Sequence, residues 1–324
     1  MSDISIIKAP IKEEMQKFEP YFRDQLKTKI PLLSIITNYI LRRKGKQMRP
    51  MLVFLSAKLN GPITESSYVA ATLIELLHTA TLIHDDVVDE TYQRRGFFSI
   101  NALWKSKIAV LVGDFFLSKG LSTALDNDQI DVLKVVSHAV TEMSEGELLQ
   151  IEKSRKLDIT EEVYYDIIRK KTATLIAACT KAGALSVKAS EERLNAMQSF
   201  GENLGIAFQI KDDLFDYEQN ALIGKPTGND IKEKKLTLPL IYALNKVDKK
   251  SRRHILTLIR RHHKKEKKVQ EIIEFVKANG GLEFAHQQML NYAQKAIDSI
   301  SIYDESETKT ALIKMVDYTM KRKK

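Results

Sequence analysis

No proline occurs between Pro62 and Pro226, and this restricts the fold more than any other feature of the chain. Proline is the strongest helix breaker, because its ring removes a backbone donor and collides with the preceding turn. Over the same span apolar residues recur at three- and four-residue intervals, as in "YVAATLIELLHTATLIHDDVVDE", "IAVLVGDFFLSKGLSTAL" and "LKVVSHAVTEMSEGELLQIE". That is the period of helices buried along one face, and alternating strand patterns are scarce. Breaks fall at "NGPITES", "RRGFFSIN", "LDNDQID", "KLDITEE", "KASEER", "IGKPTGND" and "ANGG". Thr64 or Ser66, Thr160 and Ser190 are placed to cap the helices that follow. The connections are short, and neither a repeat of roughly 20 to 50 residues nor a low-complexity linker divides the chain. The expected fold class is all-α, a single domain over residues 1–324 built from about ten or more helices.

With 44% hydrophobic residues the chain has ample material for a core. The start, "MSDISIIKAPIKEEMQ", lacks the basic and apolar pattern of a secretory signal. No uncharged run reaches the roughly 18 residues of a membrane span. A cytoplasmic location without a span is therefore expected. The lone Cys179, among small residues in "LIAACTKAGAL", reads as inert packing. Lys and Arg exceed Asp and Glu by 51 to 42, and eleven of the cations lie between Lys246 and Lys268. Ile255, Leu256, Leu258 and Ile259 make that stretch an amphipathic helix with a solvated face. It has no aromatic interleaving and no zinc-finger spacing, so no nucleic-acid partner is expected.

Two stretches carry the chemistry. "LIHDDVVDE" sets Asp85, Asp86 and Asp89 in an apolar run, and "FQIKDDLFDY" repeats the device with Asp212, Asp213 and Asp216. At about 100° per residue, His78, Thr81, Asp85 and Asp89 line one stripe of a helix, with Asp86 one step around. Asp212 and Asp216 likewise share a face, with Gln209 one turn earlier. Carboxylates grouped beside apolar surface repel one another and are costly to desolvate, so each cluster requires a cation. The donors are all oxygen, which points to Mg²⁺, an ion usually held by one or two carboxylates while phosphate fills its remaining sites. Basic residues agree with a phosphorylated substrate: Lys46 and Arg49, Arg94 and Arg95, Lys171 beside Thr172, and Lys225 and Lys235.

Taken with "GKQMRP", "LVGDFFLSKG", "EGELLQ", "GKPTGNDIKEKKLTLPLI" and "ANGGLEFA" in that order, these clusters resemble the trans-isoprenyl diphosphate synthases, the polyprenyl synthetase family, over nearly the whole chain. The resemblance implies the isoprenoid synthase fold, a helical bundle around a central cavity, and a homodimer, for which "IAVLVGDFFLSKGLSTAL" is a candidate interface. It implies that Asp85, Asp89 and Asp212 hold Mg²⁺ on an allylic diphosphate, supported by Asp86, Asp213 and Asp216. Arg94, Lys171, Lys225 and Lys235 would contact that diphosphate. Lys46, Arg49, His78 and Arg95 would hold isopentenyl diphosphate, and Thr172 and Gln209 would turn oxygen dipoles towards the allylic cation. Two positions depart from the family pattern: Gln47 replaces a basic residue, and Lys234 replaces a glycine.

Thr81 lies about 5.4 Å, one helical turn, below Asp85 on the same stripe, with Ala80 beside it but more than about 100° off the Asp85 direction, so that the part Ala80 plays rests on the resemblance. Members of the family with short products resemble one another in carrying a bulky aromatic there, so these small residues imply a product of roughly C30 or longer, of the kind used for quinone side chains. Met143, Leu148, Phe115 and Phe116 are candidates for the closed end of the product tunnel. A shorter-chain synthase, a terpene cyclase, a non-catalytic subunit of a heteromeric synthase and a plain helical scaffold are the competing readings.

Overall fold

The structure is a computed structural model, described over residues 3–42, 45–94, 96–217 and 228–322. In chain order its helices are α1 (Asp3–Lys8), α2 (Lys12–Gln25), α3 (Pro31–Leu41), α4 (Met48–Asn60), α5 (Glu65–Val88), α6 (Ile100–Asp126), α7 (Ile130–Lys156) and α8 (Glu161–Ile168). They continue as α9 (Thr174–Leu185), α10 (Glu191–Phe215), α11 (Asn229–Lys232), α12 (Leu238–Lys246), α13 (Lys249–His262), α14 (Glu266–Ala278), α15 (Gly281–Ser299) and α16 (Glu307–Lys321). The all-α expectation holds. A two-residue antiparallel ladder, Gln93–Arg94 against Phe97–Phe98, stands where a plain loop was expected, and Gly96 at φ +80° closes it.

The chain divides into two compact units, Met1–Ser137 with Ala178–Met197 and Tyr303–Leu312, and His138–Ala177 with Gln198–Ile302 and Ile313–Lys324. In the first, α5 and α6 pack together, with Leu76, Ala80 and Ile83 of α5 and Ala109, Val112 and Phe116 of α6 in one buried cluster. Thr64 starts α5 as expected, its N–H donating to Ser67 Oγ. The helix ends in a left-handed turn. Glu90 stands at φ +49°, Glu90 N–H bonds to the Val87 carbonyl, and Thr91 N–H reaches back to the Asp86 carbonyl at 2.9 Å. This is the Schellman closure, with glutamate in the place that glycine usually takes.

By length and mean composition, α5 and α6 are each long and apolar enough to cross a membrane, although charges such as Glu75 in α5 and Asp114 in α6 keep either from holding the uncharged run of about 18 residues that marks a span. Within α5, 61% of the apolar window is buried inside the protein, against 39% in α6. On α6, Leu103, Val110, Leu111 and Leu125 are exposed.

In the second unit α12 packs on α8, α14 and α15, and α13 packs on α14. Ile255, Leu258 and Ile259 are the buried face of α13, as the amphipathic pattern predicts. Thr160 caps α8 by accepting from Val163 N–H. A π-helical turn, Arg169–Ala173, separates α8 from α9.

Candidate active site

The two aspartate motifs occupy the same place on their helices. Asp85 and Asp86 lie in the last turn of α5, which ends at Val88, and Asp89 is the first residue beyond it. Asp212 and Asp213 lie in the last turn of α10, which ends at Phe215, and Asp216 follows it. Each motif therefore closes a helix, where mid-helix stripes were expected. At a helix C-terminus the backbone carbonyls already create a negative potential, so further carboxylates there are unfavourable until a cation joins them. Among the described residues no three His, Cys, Asp or Glu side chains converge into a ready metal cage.

In the first unit the helical phase of α5 is as expected. Leu76, Ala80 and Ile83 face the core, whereas Thr81 is half-buried and Asp85 and Asp89 are exposed. Asp86 falls on the buried side at 6% exposure. Thr81 donates its hydroxyl to the His78 carbonyl at 2.9 Å. Lys46 is exposed ahead of α4, and Arg49 sits partly buried in its first turn. Gln47 takes a left-handed φ of +53° at the N-cap. Cys179 is fully buried, and burial pushes its thiol up to about 12, as inert packing requires. Arg94 lies on the short ladder. Arg95 and Lys225 lie outside the described residues.

The second unit assembles the remaining candidates. Thr172 Oγ1 donates to Gln209 Oε1 at 2.8 Å, and Gln209 Nε2 donates to Asp213 Oδ1 at 2.9 Å. The other oxygen of Asp213 accepts from Tyr164 Oη at 2.7 Å. Burial and the neighbouring Asp230 push the Asp213 carboxyl well above its usual range, against the pull of the two donated hydrogen bonds. Because Thr172 commits its proton to Gln209, the lone pairs of its oxygen remain free to meet a positive charge.

Thr172 and Lys171 sit on the π-helical turn, and two glycines place that turn. A Cβ on Gly205 of α10 would come within 2.5 Å of Ala173 Cα, and one on Gly146 of α7 within 2.9 Å of the Lys171 backbone nitrogen. Backbone here packs against backbone, which only glycine allows. Lys171 Nζ bonds to Glu147 at 2.5 Å and to Gln150 at 2.6 Å, both on α7. Lys235 pairs with Glu233 at 2.5 Å; burial lowers its proton affinity, but the Glu233 contact and charge outweigh this and raise it.

Asp216 does more than contribute charge. Its two carboxylate oxygens accept from the Asn229 and Asp230 backbone N–H groups, each at 2.9 Å, capping α11. Asp230, which sequence reasoning missed, is raised to about 7, by burial first and then by the charge of Asp216. Asp212 accepts from Arg322 Nη2 at 2.6 Å, while the Arg322 guanidinium lies 3.9 Å from the centre of the Phe208 ring. Tyr164, Glu147, Gln150 and Arg322 were likewise missed. Only the rule that a buried tyrosine hydroxyl needs a partner pointed towards Tyr164, and it does not separate Tyr164 from Tyr165.

Lys234, the replacement for the family's glycine, keeps the glycine-like backbone. It stands at φ +60° just past Glu233, the C-cap of α11, and Lys235 N–H bonds back to the Asp230 carbonyl at 2.8 Å. The loop around Lys235 thus closes like a Schellman turn, with a non-glycine residue held in a strained region. Lys234→Gly is expected to raise stability by roughly 0.5–1 kcal/mol in denaturant unfolding, with Lys235 left in place.

A helical fold with two aspartate-closed helix ends and adjoining lysines defines an isoprenoid synthase. The Polyprenyl synthetase family model matches residues 30–276, and the chain belongs to that family. It is a prenyltransferase of the trans-prenyl diphosphate synthase type. The chain is 35% identical over 300 residues to the octaprenyl diphosphate synthase of Escherichia coli strain K12, covering 92% of this chain and 93% of that one. A solved decaprenyl diphosphate synthase from Rhodobacter capsulatus superposes with a TM-score of 0.92 at 32% identity, covering 98% of each chain. A geranylgeranyl pyrophosphate synthase from Bacteroides thetaiotaomicron gives 0.85 at 39% identity, covering 99% of this chain and 100% of that one.

Proposed function

We propose that this chain, acting as one domain over residues 1–324, condenses isopentenyl diphosphate with an allylic diphosphate such as farnesyl diphosphate. Successive trans additions give a polyprenyl diphosphate of roughly C30 or longer, suited to a quinone side chain. The observation that carries this reading is the matched closure of α5 and α10 by Asp85, Asp86 and Asp89 and by Asp212, Asp213 and Asp216. Carboxylates grouped at negative helix ends suit Mg²⁺, which Asp85, Asp89 and Asp212 would hold together with substrate phosphate. When bound, the ion supplies charge stabilisation to the departing diphosphate.

The protein's own groups do the rest. Lys171 and Lys235, with Arg94 and Lys225, take up negative charge on the leaving diphosphate. The Thr172 oxygen, polarised through Gln209 by Asp213, faces the allylic cation. Lys46, Arg49, His78 and Arg95 hold isopentenyl diphosphate so that its double bond lies in line for attack. Apolar surroundings keep water from the cation.

The exposed Leu103, Val110, Leu111 and Leu125 of α6 support a homodimer formed on that helix. A shorter product remains the second reading, favoured by the likeness to the geranylgeranyl pyrophosphate synthase.

Incubation with Mg²⁺, farnesyl diphosphate and labelled isopentenyl diphosphate, followed by sizing of the prenyl alcohols, tests both. Successive increments to roughly C30 or beyond are expected, whereas a stop at about C20 establishes the shorter reading and cyclised hydrocarbons refute elongation altogether. Thr81→Phe is expected to shorten the product, and it is cleaner than Ala80→Phe. Ala80 is buried against α6 in the cluster that holds Phe116, so an added ring there costs about 1–3 kcal/mol of strain. Phe116, fully buried, and Phe115 beside it remain candidates for the tunnel end, whereas Leu148 is 68% exposed on α7 and does not line the interior of its unit.

A further inference from the structure

The chain's excess of positive charge is held in one place. Of 51 Lys and Arg and 42 Asp and Glu, the segment from Lys246 to Lys268 holds eleven cations and only Asp248 and Glu266, leaving forty of each sign elsewhere. The rest of the protein is neutral. This segment forms α13, the turn after it and the start of α14, anchored by the buried Ile255, Leu258, Ile259 and Val269. Arg260, Arg261, Lys264, Lys265 and Lys267 are exposed around its tip, and among the described residues none of the five forms an ion pair. Some exposed lysines elsewhere do pair with carboxylates, as in Lys156 with Glu152 at 2.6 Å and Lys134 with Asp131 at 3.1 Å; what sets the tip apart is five unpaired cations within eight residues.

Five unanswered cations close together repel one another, and that arrangement suits a partner that is itself an extended negative surface. Nucleic acid is the less favoured choice. The segment contains no Phe, Tyr or Trp on which bases stack. A bilayer with anionic headgroups needs no stacking platform and no groove. It rewards clustered Lys and Arg through the surface potential alone. The product adds a reason of its own: a long prenyl chain with a diphosphate head is an amphiphile that partitions into membrane.

We infer that the α13–α14 hairpin is a docking surface for an anionic lipid bilayer, bringing the enzyme to the compartment that takes up its product. This rests on the polyprenyl diphosphate reading. The test is co-sedimentation of the full chain with vesicles of phosphatidylcholine alone or with about one third phosphatidylglycerol, at roughly 0.05 and 0.3 M salt. The comparison variant carries Arg260→Gln, Arg261→Gln, Lys264→Gln, Lys265→Gln and Lys267→Gln together. Binding to the anionic vesicles is expected at low salt, weakened at least about tenfold by high salt, by neutral lipid or by the five substitutions. Melting temperature and turnover of soluble substrates stay unchanged in the variant, because all five side chains are exposed. Equal sedimentation with both vesicle types, or a variant that binds like the parent, overturns the inference. So does a parent chain that ignores both vesicles but retards homopolymer RNA, which assigns the hairpin to nucleic acid. Charge-dependent sedimentation by a protein that makes no prenyl product still supports docking, and sinks only the enzymatic reading.

Discussion

Asp85→Ala is expected to lower kcat by about three orders of magnitude, equivalent to about 4 kcal/mol of lost transition-state stabilisation, while leaving the folded state as stable as before or slightly more so. The two effects have opposite signs for one reason. Asp85 is exposed in the last turn of α5, beside Asp86 and Asp89 and at the negative end of the helix. Removing its charge relieves repulsion from the helix end worth about 0.3–1 kcal/mol. The same charge is what a metal-bound diphosphate needs as a counterpart. Steady-state kinetics with varied Mg²⁺, set beside thermal unfolding of the metal-free protein, separates the terms. A variant that loses stability in proportion to activity would mark Asp85 as an ordinary structural residue, and the proposed metal site would fall. Asp213 is the instructive contrast. Buried and bonded to Tyr164 and Gln209, it cannot be truncated without orphaning two donors, so its loss damages fold and function together.

The second large effect concerns a residue without a side chain. Gly205→Val is expected to destabilise the protein by about 3 kcal/mol and to abolish most activity even where the chain remains folded. A Cβ at this position would stand 2.5 Å from Ala173 Cα, a contact between two helical backbones that no rotamer change relieves. The π-helical turn must move, and with it Lys171 and Thr172. Extra backbone in a π turn is a local cost that a functional site repays by aiming side chains, and the close packing of Gly146 and Gly205 is what fixes that aim. Gly205→Ala should give a smaller loss of the same kind. Denaturant unfolding followed by turnover measured well below the midpoint distinguishes the two consequences, and full activity in the valine variant would show that the position of the turn is irrelevant to the chemistry.

How much of this was legible beforehand differs from residue to residue. The helices were legible because their cause is local: apolar residues at helical spacing, capped by Thr64 and Thr160 and uninterrupted by proline. The aspartate pairs were legible because one helical turn brings Asp85 near Asp89 and Asp212 near Asp216 whatever the rest of the chain does. The ends of those helices were not. That α5 stops at Val88 and α10 at Phe215 depends on Glu90 entering a left-handed turn and on Asp216 capping α11, neither of which has a strong local signature. Lys234 shows the reverse case, where the sequence changes and the backbone conformation persists because the Asp230 carbonyl still draws in the Lys235 N–H.

By itself, then, the sequence determined whatever a single helix can decide: secondary structure, the stripe of polar residues on α5, the family to which the chain belongs and the concentration of charge on α13. Tertiary structure alone decided which partners those residues meet. Tyr164 reaches Asp213 across 49 residues of chain and Arg322 reaches Asp212 across 110, and a hydrogen bond between such distant positions leaves no periodic trace in either. Desolvation belongs to the same class, since Asp213 and Asp230 hold their protons more tightly because of what folds around them. Periodicity encodes contacts made within a few residues; contacts that close long loops are encoded by the whole core at once, and only the folded chain displays them.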